Sequence, residues 1–393
     1  MLKIKISSYF IFRQIIKGLT MASGFWPSEN LSLPYRLLSY MQLSLNFGMF
    51  LAIFNFVRLY AHRLALLIKS FGVMTTYLSS TLKITCFLIN RKEALELHRI
   101  LDPYFTKLAQ DRQMKKIIFK KFTLLKLITW LFFFCVFITL SAMIITPLID
   151  IAMQHHKPGK SIKYPLIYPS KYPWQTSSNG WAYKLTFLFE TLATASLFCI
   201  SLSVDSLFLF YIFQIIGQLR EMGYCITHTD GYNEKGKDFV IRKAVYQYQR
   251  LIRAKEIIEK IYGPIVLWIM CTNAVIMCVF IFQSMQVLRL FADEKFTGCE
   301  IDDDFHVRSV KSITNVYIRL EWHLFDGGDY REALYNIDWY GSKKIMTSII
   351  IMMAQKPMIV TALNFSTVTV DIFTMVMKTT ISYFFLLQTL EEQ

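Results

Sequence analysis

The sequence predicts an all-α, polytopic membrane protein. Hydrophobic residues make up 54% of the 393 residues and aromatic residues 16%, and the mean hydropathy is +0.37, which is too apolar for an ordinary soluble protein of this length. Apolar runs of about 20 residues recur along the chain, and each can cross a ~30 Å hydrocarbon core as a helix. Basic residues are grouped in short stretches between these runs, so the formal charge of +15 indicates membrane topology rather than a nucleic-acid partner.

Six runs qualify as membrane spans. They lie at residues 37–57, 64–89, 127–148, 185–219, 261–288 and 357–390. The first and the fifth carry no charge. The second contains Lys69 and Lys83 near its ends, where a long side chain can reach the lipid–water interface. The last run is expected to become an apolar helix from about Asn364.

The charge of the connecting stretches predicts the orientation. Residues 91–121 and 220–260 each carry nine Lys and Arg residues, whereas residues 150–182 carry four lysines and are rich in proline and aromatic residues. Because short cytoplasmic loops hold an excess of basic residues, we expect the two basic stretches and the N-terminus to be cytoplasmic and the Pro/aromatic loop to be extracellular. Charge alternates with Ile and Leu at helical spacing in residues 246–261, which indicates a helix that projects into the cytoplasm.

Residues 289–342 interrupt the pattern. They carry eleven acidic and six basic residues and contain no apolar run long enough to span, so hydropathy alone gives six spans and a cytoplasmic C-terminus. The chain therefore divides into a cytoplasmic N-terminal segment (1–36), five spans with cytoplasmic helical extensions (37–288), an atypical acidic segment (289–342) and a cytoplasmic helix followed by the last span (343–393). Residues 1–20 are basic and amphipathic rather than a cleavable signal peptide, and Met21 is an alternative start.

Catalytic patterns are absent from the sequence. There is no GxSxG, Walker, HExxH or CxxC motif, so we expect neither an enzyme nor a metal or cofactor site. The ionisable residues inside the predicted spans are better candidates for function: Glu190, Asp205, Asp371 and Lys378. Each costs several kcal/mol when it faces lipid, so each is expected to face protein or water. An ion path and a structural pairing between helices both remain open for these residues.

Five short motifs, in this order, carry a resemblance to a known family. They are Gly24-Phe25-Trp26-Pro27, Val204-Asp205-Ser206-Leu207-Phe208, Ala333-Leu334-Tyr335-Asn336 with Asp338-Trp339-Tyr340, Ile350-Ile351-Met352-Met353-Ala354-Gln355-Lys356-Pro357, and Lys378-Thr379-Thr380-Ile381-Ser382-Tyr383-Phe384. In this combination, and over nearly the whole chain, the sequence resembles the insect odorant receptors.

The resemblance implies a fold and a function. The fold is a seven-helix subunit with a cytoplasmic N-terminus, and its sixth span is expected within residues 289–342, where this sequence departs from the family. The function is that of an odorant-binding subunit in a ligand-gated, non-selective cation channel. Its implied partners are a small volatile odorant, the odorant receptor co-receptor in a heterotetramer, permeating cations and the lipid bilayer. The implied location is the plasma membrane of an olfactory sensory neuron dendrite.

The same resemblance implies site residues. The odorant pocket is expected in the outer halves of spans two, three, four and six, and would be mostly apolar with a few hydroxyls. Its candidate residues are Val73, Thr76, Tyr77, Ile138, Ser141, Ile145, Thr191, Thr194 and Phe198. Helix packing is the competing interpretation for each of them. The pore gate would be formed in the last helix by Leu386 and Leu390, with Thr389 as a polar neighbour.

Two other functions compete with this one. A gustatory receptor of the same superfamily partly matches residues 382–388, but that family typically has Phe where this chain has Thr389. A secondary transporter is a less favoured alternative, because such proteins usually show internal repeats or paired broken helices, and the sequence shows neither.

Overall fold

The computed structural model describes thirteen segments of the chain. They are residues 2–29, 32–60, 62, 64–111, 114–119, 122–155, 164–174, 180–228, 233–293, 334–335, 343–354, 361–362 and 366–367. The helices in this part are α1 (Leu2–Ala22), α2 (Leu33–Leu59), α3 (Leu64–Ile89), α4 (Arg91–Leu108), α5 (Lys115–Ile118), α6 (Phe122–His155), α7 (Trp181–Thr227), α8 (Glu234–Asp293) and α9 (Lys343–Ala354). Two-residue strands follow, β1 (Thr361–Ala362) and β2 (Ser366–Thr367).

Four of these helices are long and apolar enough to cross a membrane. They cover residues 33–59, 70–89, 125–154 and 181–227, and they confirm the first four predicted spans. The fifth predicted span, 261–288, lies within α8, a helix of 60 residues that begins in the preceding basic stretch. The chain is thus a mostly helical, polytopic membrane protein, as the sequence predicts.

Helix α1 belongs to the main hydrophobic core. Its Tyr9 is fully buried among the rings of Phe105, Phe122 and Phe213, at centroid distances of 5.4, 5.9 and 6.4 Å. Arg13 of α1 also forms an ion pair with Asp102 of α4. Burying one large apolar side chain contributes roughly 1.5–3 kcal/mol. A chain that started at Met21 would lose all of these contacts.

Helix α4 and the first part of α8 face each other with complementary charges. Arg253 pairs with Glu96, and Lys260 pairs with Glu93. These charges are largely exposed, so solvent screens them and they add little to stability. The pairs account for part of the alternating charge seen in the sequence.

The structure differs from the sequence prediction near the start of the last span. A helix was expected from about Asn364, but Ser366 and Thr367 pair with Ala362 and Thr361 as antiparallel strands. Residues 361–370 are rich in Thr and Val, whose branched β-carbons lose side-chain freedom in a helix and favour extended backbone. The rest of that predicted span, and the predicted acidic segment apart from 289–293 and 334–335, lie outside the described residues.

Candidate ligand site between α2, α3 and α7

A second hydrophobic cluster lies apart from the main core. Its buried residues come from α2, α3, α7 and the loop between α6 and α7, and they are Met49, Ile53, Tyr77, Ile167, Tyr168, Ala193 and Leu197. We call this group the loop-capped cluster, and residues 164–174 of the loop the strap. Two strap residues, Ile167 and Tyr168, are buried in the cluster. A predicted extracellular loop therefore forms one wall of a helix-lined core.

The strap is tied to the helices on both sides of the cluster. The Lys171 N–H donates to the Ala52 carbonyl oxygen of α2 at 3.1 Å. On α7, the Tyr183 hydroxyl donates to the Pro165 carbonyl oxygen at 3.1 Å. The Trp174 indole N–H also donates to the α7 residue Thr186, at 2.9 Å. Prolines at positions 165, 169 and 173 fix three φ angles of the strap, which lowers the entropy lost when it is ordered.

Glu190 is the polar centre of these attachments. Its side chain is fully buried in α7, and one carboxylate oxygen accepts the backbone N–H groups of Ile167 and Tyr168, at 2.8 and 3.3 Å. The other oxygen accepts the hydroxyls of Ser170 and Tyr172, at 2.7 and 3.0 Å. Four donors satisfy the usual accepting capacity of a carboxylate. The expectation that Glu190 faces protein or water is therefore confirmed, and the protein it faces is the strap.

A few hydroxyls point into the otherwise apolar cluster. The Tyr168 hydroxyl lies 3.0 Å from Thr194 Oγ1. Tyr77 packs edge-to-face on Tyr168, with ring centroids 5.5 Å apart. The Tyr77 hydroxyl is directed toward the same pair, but it makes no hydrogen bond of ordinary length with the described residues. A ligand that offered an oxygen to this hydroxyl would give it a hydrogen bond of ordinary length.

The structure brings some of the sequence-predicted pocket residues to this cluster. Tyr77 belongs to it, Thr194 bonds Tyr168 at its edge, and Val73 packs against it while half-buried. Phe198 is close by on α7, where its ring contacts Phe133 and Phe137 of α6 at centroid distances of 5.7 and 6.0 Å.

The other predicted pocket residues lie elsewhere on the helices. Thr191 and Ser141 are half-buried, and the Thr191 hydroxyl donates to the Phe187 carbonyl oxygen of its own helix. Thr76 is exposed and bonds the Gly72 carbonyl oxygen. Ile138 and Ile145 are 44% and 49% exposed on α6. These last three side chains face away from the loop-capped cluster in a single subunit.

Sequence reasoning did not identify the α2 residues Met49 and Ile53 or the strap as parts of the site. The α2 residues lie in a mostly apolar run, but its polar residues Ser39, Gln42 and Asn46 fall at helical spacing on the same buried face and carried a usable signal. The strap carried a usable signal, because its density of proline and aromatic residues is unusual for a solvated loop. Tyr168 and Tyr172 are indeed buried.

Asp205, predicted as a polar residue inside a span, is paired with a residue of another helix. Both carboxylate oxygens lie 2.7 Å from the Lys83 ammonium of α3, and the two side chains are 20% and 8% exposed. Of the two interpretations left open, inter-helix pairing is the one that the geometry provides. Asp371, Lys378, Leu386, Thr389 and Leu390 lie outside the described residues.

Comparison with known proteins gives a consistent result. The family model described as 7tm Odorant receptor matches residues 63–292. Odorant receptor 13a of Drosophila melanogaster is 23% identical over 251 residues, and this match spans 57% of this chain and 57% of the relative's length.

Solved structures of an insect olfactory receptor are similar over nearly the whole chain. The structure of OR5 from Machilis hrabei in complex with eugenol has a TM-score of 0.75, and the match covers 97% of this chain and 99% of that one. A second structure of the same receptor has a TM-score of 0.71 with similar coverage. At 16% sequence identity, these matches show the fold alone. Because the family model matches more than half of the chain, the chain belongs to the 7tm odorant receptor family.

Proposed function

We propose that the chain is the odorant-binding subunit of a ligand-gated, non-selective cation channel that forms with the odorant receptor co-receptor. The observation that carries the proposal is the loop-capped cluster. It is a buried apolar cluster with a few convergent hydroxyls, from Tyr77, Tyr168 and Thr194. Such a composition suits a small volatile molecule with one or two oxygen atoms. A related receptor, OR5 from Machilis hrabei, binds eugenol, a compound of this kind.

The proposed location is the plasma membrane of an olfactory sensory neuron dendrite, with the N-terminus inside the cell. Support comes from the basic residues of the α3–α6 connection and of α8, against the few in the strap region. Gly159→Asn creates an Asn-Lys-Ser glycosylation sequon in the α6–α7 loop, which should be glycosylated in cells. The N-terminal native sequon, Asn30-Leu31-Ser32, should remain unmodified on the cytoplasmic side. Modification of the native site alone would reverse the proposed orientation.

Co-expression with the co-receptor tests the function. Cells that carry both chains should give a cation current when a panel of volatile alcohols, esters, ketones and phenols is applied, eugenol included. Cells that carry this chain alone should give no such current. A robust odorant-evoked current without the co-receptor would contradict the heteromeric assembly. No response from the heteromer to any volatile, with both chains at the cell surface, would count against the receptor function itself.

The gate is proposed from the sequence of the last helix. Leu386 and Leu390 are four residues apart, so they share one helical face, and a ring of such side chains forms a dry constriction that blocks ions. Leu386→Ser or Leu390→Ser should admit water and raise the current in the absence of ligand. Leu387 is rotated by about 100° and provides the matched control. An open channel in Leu387→Ser, with the other two variants closed and responsive, would place a different face on the pore.

A further inference from the structure

We infer that Glu190 is the positioning residue of the ligand site: it holds the strap in the bundle and thereby sets where Tyr168 stands beside Tyr77 and Thr194. The structural part of this role is the closure of the site by the strap. The selective part, in which this closure discriminates among odorants, rests on the proposed function. Glu190 itself does not line the cluster, and its effect on a ligand passes through the strap.

The choice of a carboxylate follows from the donors around it. The N–H groups of Ile167 and Tyr168 are fixed as donors and lie within hydrogen-bond distance of one oxygen of Glu190. Only an acceptor can occupy that position without leaving buried N–H groups unpaired. A carboxylate offers about four acceptor positions, which matches the four donors of the strap and favours Glu at a site that must hold a loop against its own conformational entropy.

Tyr168 connects Glu190 to the ligand site. Its backbone N–H bonds Glu190, and its side-chain hydroxyl lies 3.0 Å from Thr194, one turn further along α7. Its ring forms the surface on which the edge of Tyr77 packs. One residue of the strap is therefore held by α7 at both its backbone and its side-chain end. Loss of the Glu190 contact would release the backbone end and let this wall of the site move.

The strap also closes the cluster. Tyr172 bonds Glu190 and also contacts the Met49 sulfur of α2 at 3.4 Å. The strap thus bridges α2 and α7 above Tyr77, so a strap that detaches opens the cluster toward the side on which the α6–α7 loop lies. The expected consequence is that buried strap residues become accessible to solvent.

Two substitutions at position 190 separate the effect of the hydrogen bonds to the strap from the effect of side-chain volume. In Glu190→Gln, the amide oxygen can still accept both N–H groups, and the amide nitrogen can donate to Ser170 and Tyr172, because hydroxyls can reverse their role. Glu190→Leu has a similar size but no acceptor. Glutamine should therefore preserve the strap, and leucine should release it.

Thiol labelling measures the release without a ligand. Ile167→Cys places a thiol at a strap position that is 8% exposed. The full-length chain is co-expressed with the co-receptor, and a membrane-impermeant maleimide is applied to intact cells and to the solubilised protein. Glu190→Leu should speed labelling about tenfold or more, since a hydrogen bond to a charged group contributes roughly the 1.4 kcal/mol that corresponds to tenfold. Glu190→Gln should stay within about threefold of the parent on the same scale.

The controls use other positions of the strap. Lys171→Ala removes an exposed side chain and leaves its backbone bond to α2 in place, so it should not change the labelling rate. If Glu190→Leu does not reach the cell surface, the double variant Ser170→Ala/Tyr172→Phe takes its place. It removes two of the four donors and should speed labelling by a smaller factor. Equal labelling rates in the parent, in Glu190→Leu and in Ser170→Ala/Tyr172→Phe would overturn the structural part.

Odorant potency tests the selective part. With the panel of volatiles named above, Glu190→Leu should change the rank order of potencies while the largest currents remain near those of the parent, and Glu190→Gln should restore the parental order. A uniform loss of current for all odorants would indicate a structural role only and would overturn the selective part. If the parent heteromer answers no odorant, the proposed function fails, and the labelling rates still decide whether Glu190 holds the strap.

Discussion

The Lys83–Asp205 pair provides the sharpest test of how the helices are held together. The two residues lie on α3 and α7, and removing either charge leaves the other in a largely water-free position. The perturbations are Lys83→Met, Asp205→Leu and the double variant. Lys184→Met removes an exposed lysine of the same α7 and is the control.

The magnitude follows from the geometry. At 2.7 Å and an effective dielectric constant of 20, the gross attraction between two unit charges is about 6 kcal/mol, most of which offsets the cost of removing both groups from water. Each single variant loses the attraction and keeps one buried charge, so it should be destabilised by roughly 3–5 kcal/mol. The double variant keeps no buried charge and should lie within about 1–2 kcal/mol of the parent.

The measurement is the thermal midpoint of the solubilised chain, followed by fluorescence-detected size-exclusion chromatography after heating. Both single variants should lose several degrees, the double variant should recover most of that loss, and the control should match the parent. A double variant that falls by the sum of the two single effects would show that the two charges act independently. That result would refute the pairing.

Two further predictions concern the packing of the helices and the dependence of stability on pH. Gly217→Ala should destabilise the chain by about 1–3 kcal/mol, because its new methyl group overlaps the ring of Phe105. Gly72→Ala is the matched control: its methyl group meets no atom within 4 Å, so the variant should be neutral or stabilising by up to ~1 kcal/mol. The thermal midpoints of the two variants measure the difference. Burial lowers the pKa of His98. For Asp102, burial acts to raise the pKa, but the Arg13 hydrogen bond and the neighbouring positive charges together outweigh it, so this pKa is also lowered. Both side chains bind protons more readily in the unfolded chain than in the folded one. The free energy of unfolding should therefore be highest above about pH 6.5 and should fall on acidification. The first loss follows from the lowered pKa of His98, and a second loss, below about pH 4, follows from the lowered pKa of Asp102. A thermal midpoint that is flat between pH 7 and 5, or equally steep in His98→Gln, would contradict the assignment to His98.

The spans could be predicted because their signal is local. The predicted range 64–89 coincides with α3, and the predicted range 185–219 lies inside α7. A run of about 20 apolar residues between charged stretches favours a helix, since a helix satisfies all of its backbone hydrogen bonds within one membrane-spanning segment. The start of the last span was misplaced because a hydropathy window averages over the whole run and does not register that Thr361 and Thr367, with branched β-carbons, favour extended backbone.

The contacts between distant residues could not be predicted. Lys83 was expected to reach the interface, but it pairs with Asp205, which lies 122 positions away. Glu190 was recognised as costly inside a span, but nothing in its neighbourhood indicates that a loop returns to satisfy it. Hydropathy treats α1 as a basic amphipathic segment, whereas its apolar face carries Tyr9 into the centre of the main core. In each case, the partner is set by the tertiary fold.

Helix α7 links these contacts in one continuous element. From Glu190 to Glu221 it runs for about 46 Å at 1.5 Å per residue. Glu190 holds the strap, and Asp205 pairs with Lys83 of α3. Glu221 accepts hydrogen bonds from Tyr104 of α4 and Gln247 of α8, at 3.1 and 2.8 Å. Since an unbroken helix is stiff over this length, a rotation at one level has to be accommodated at the others. The polar residues of α7 therefore fix its rotation at three levels, against the strap, α3, α4 and α8, which a uniformly apolar helix would leave undetermined.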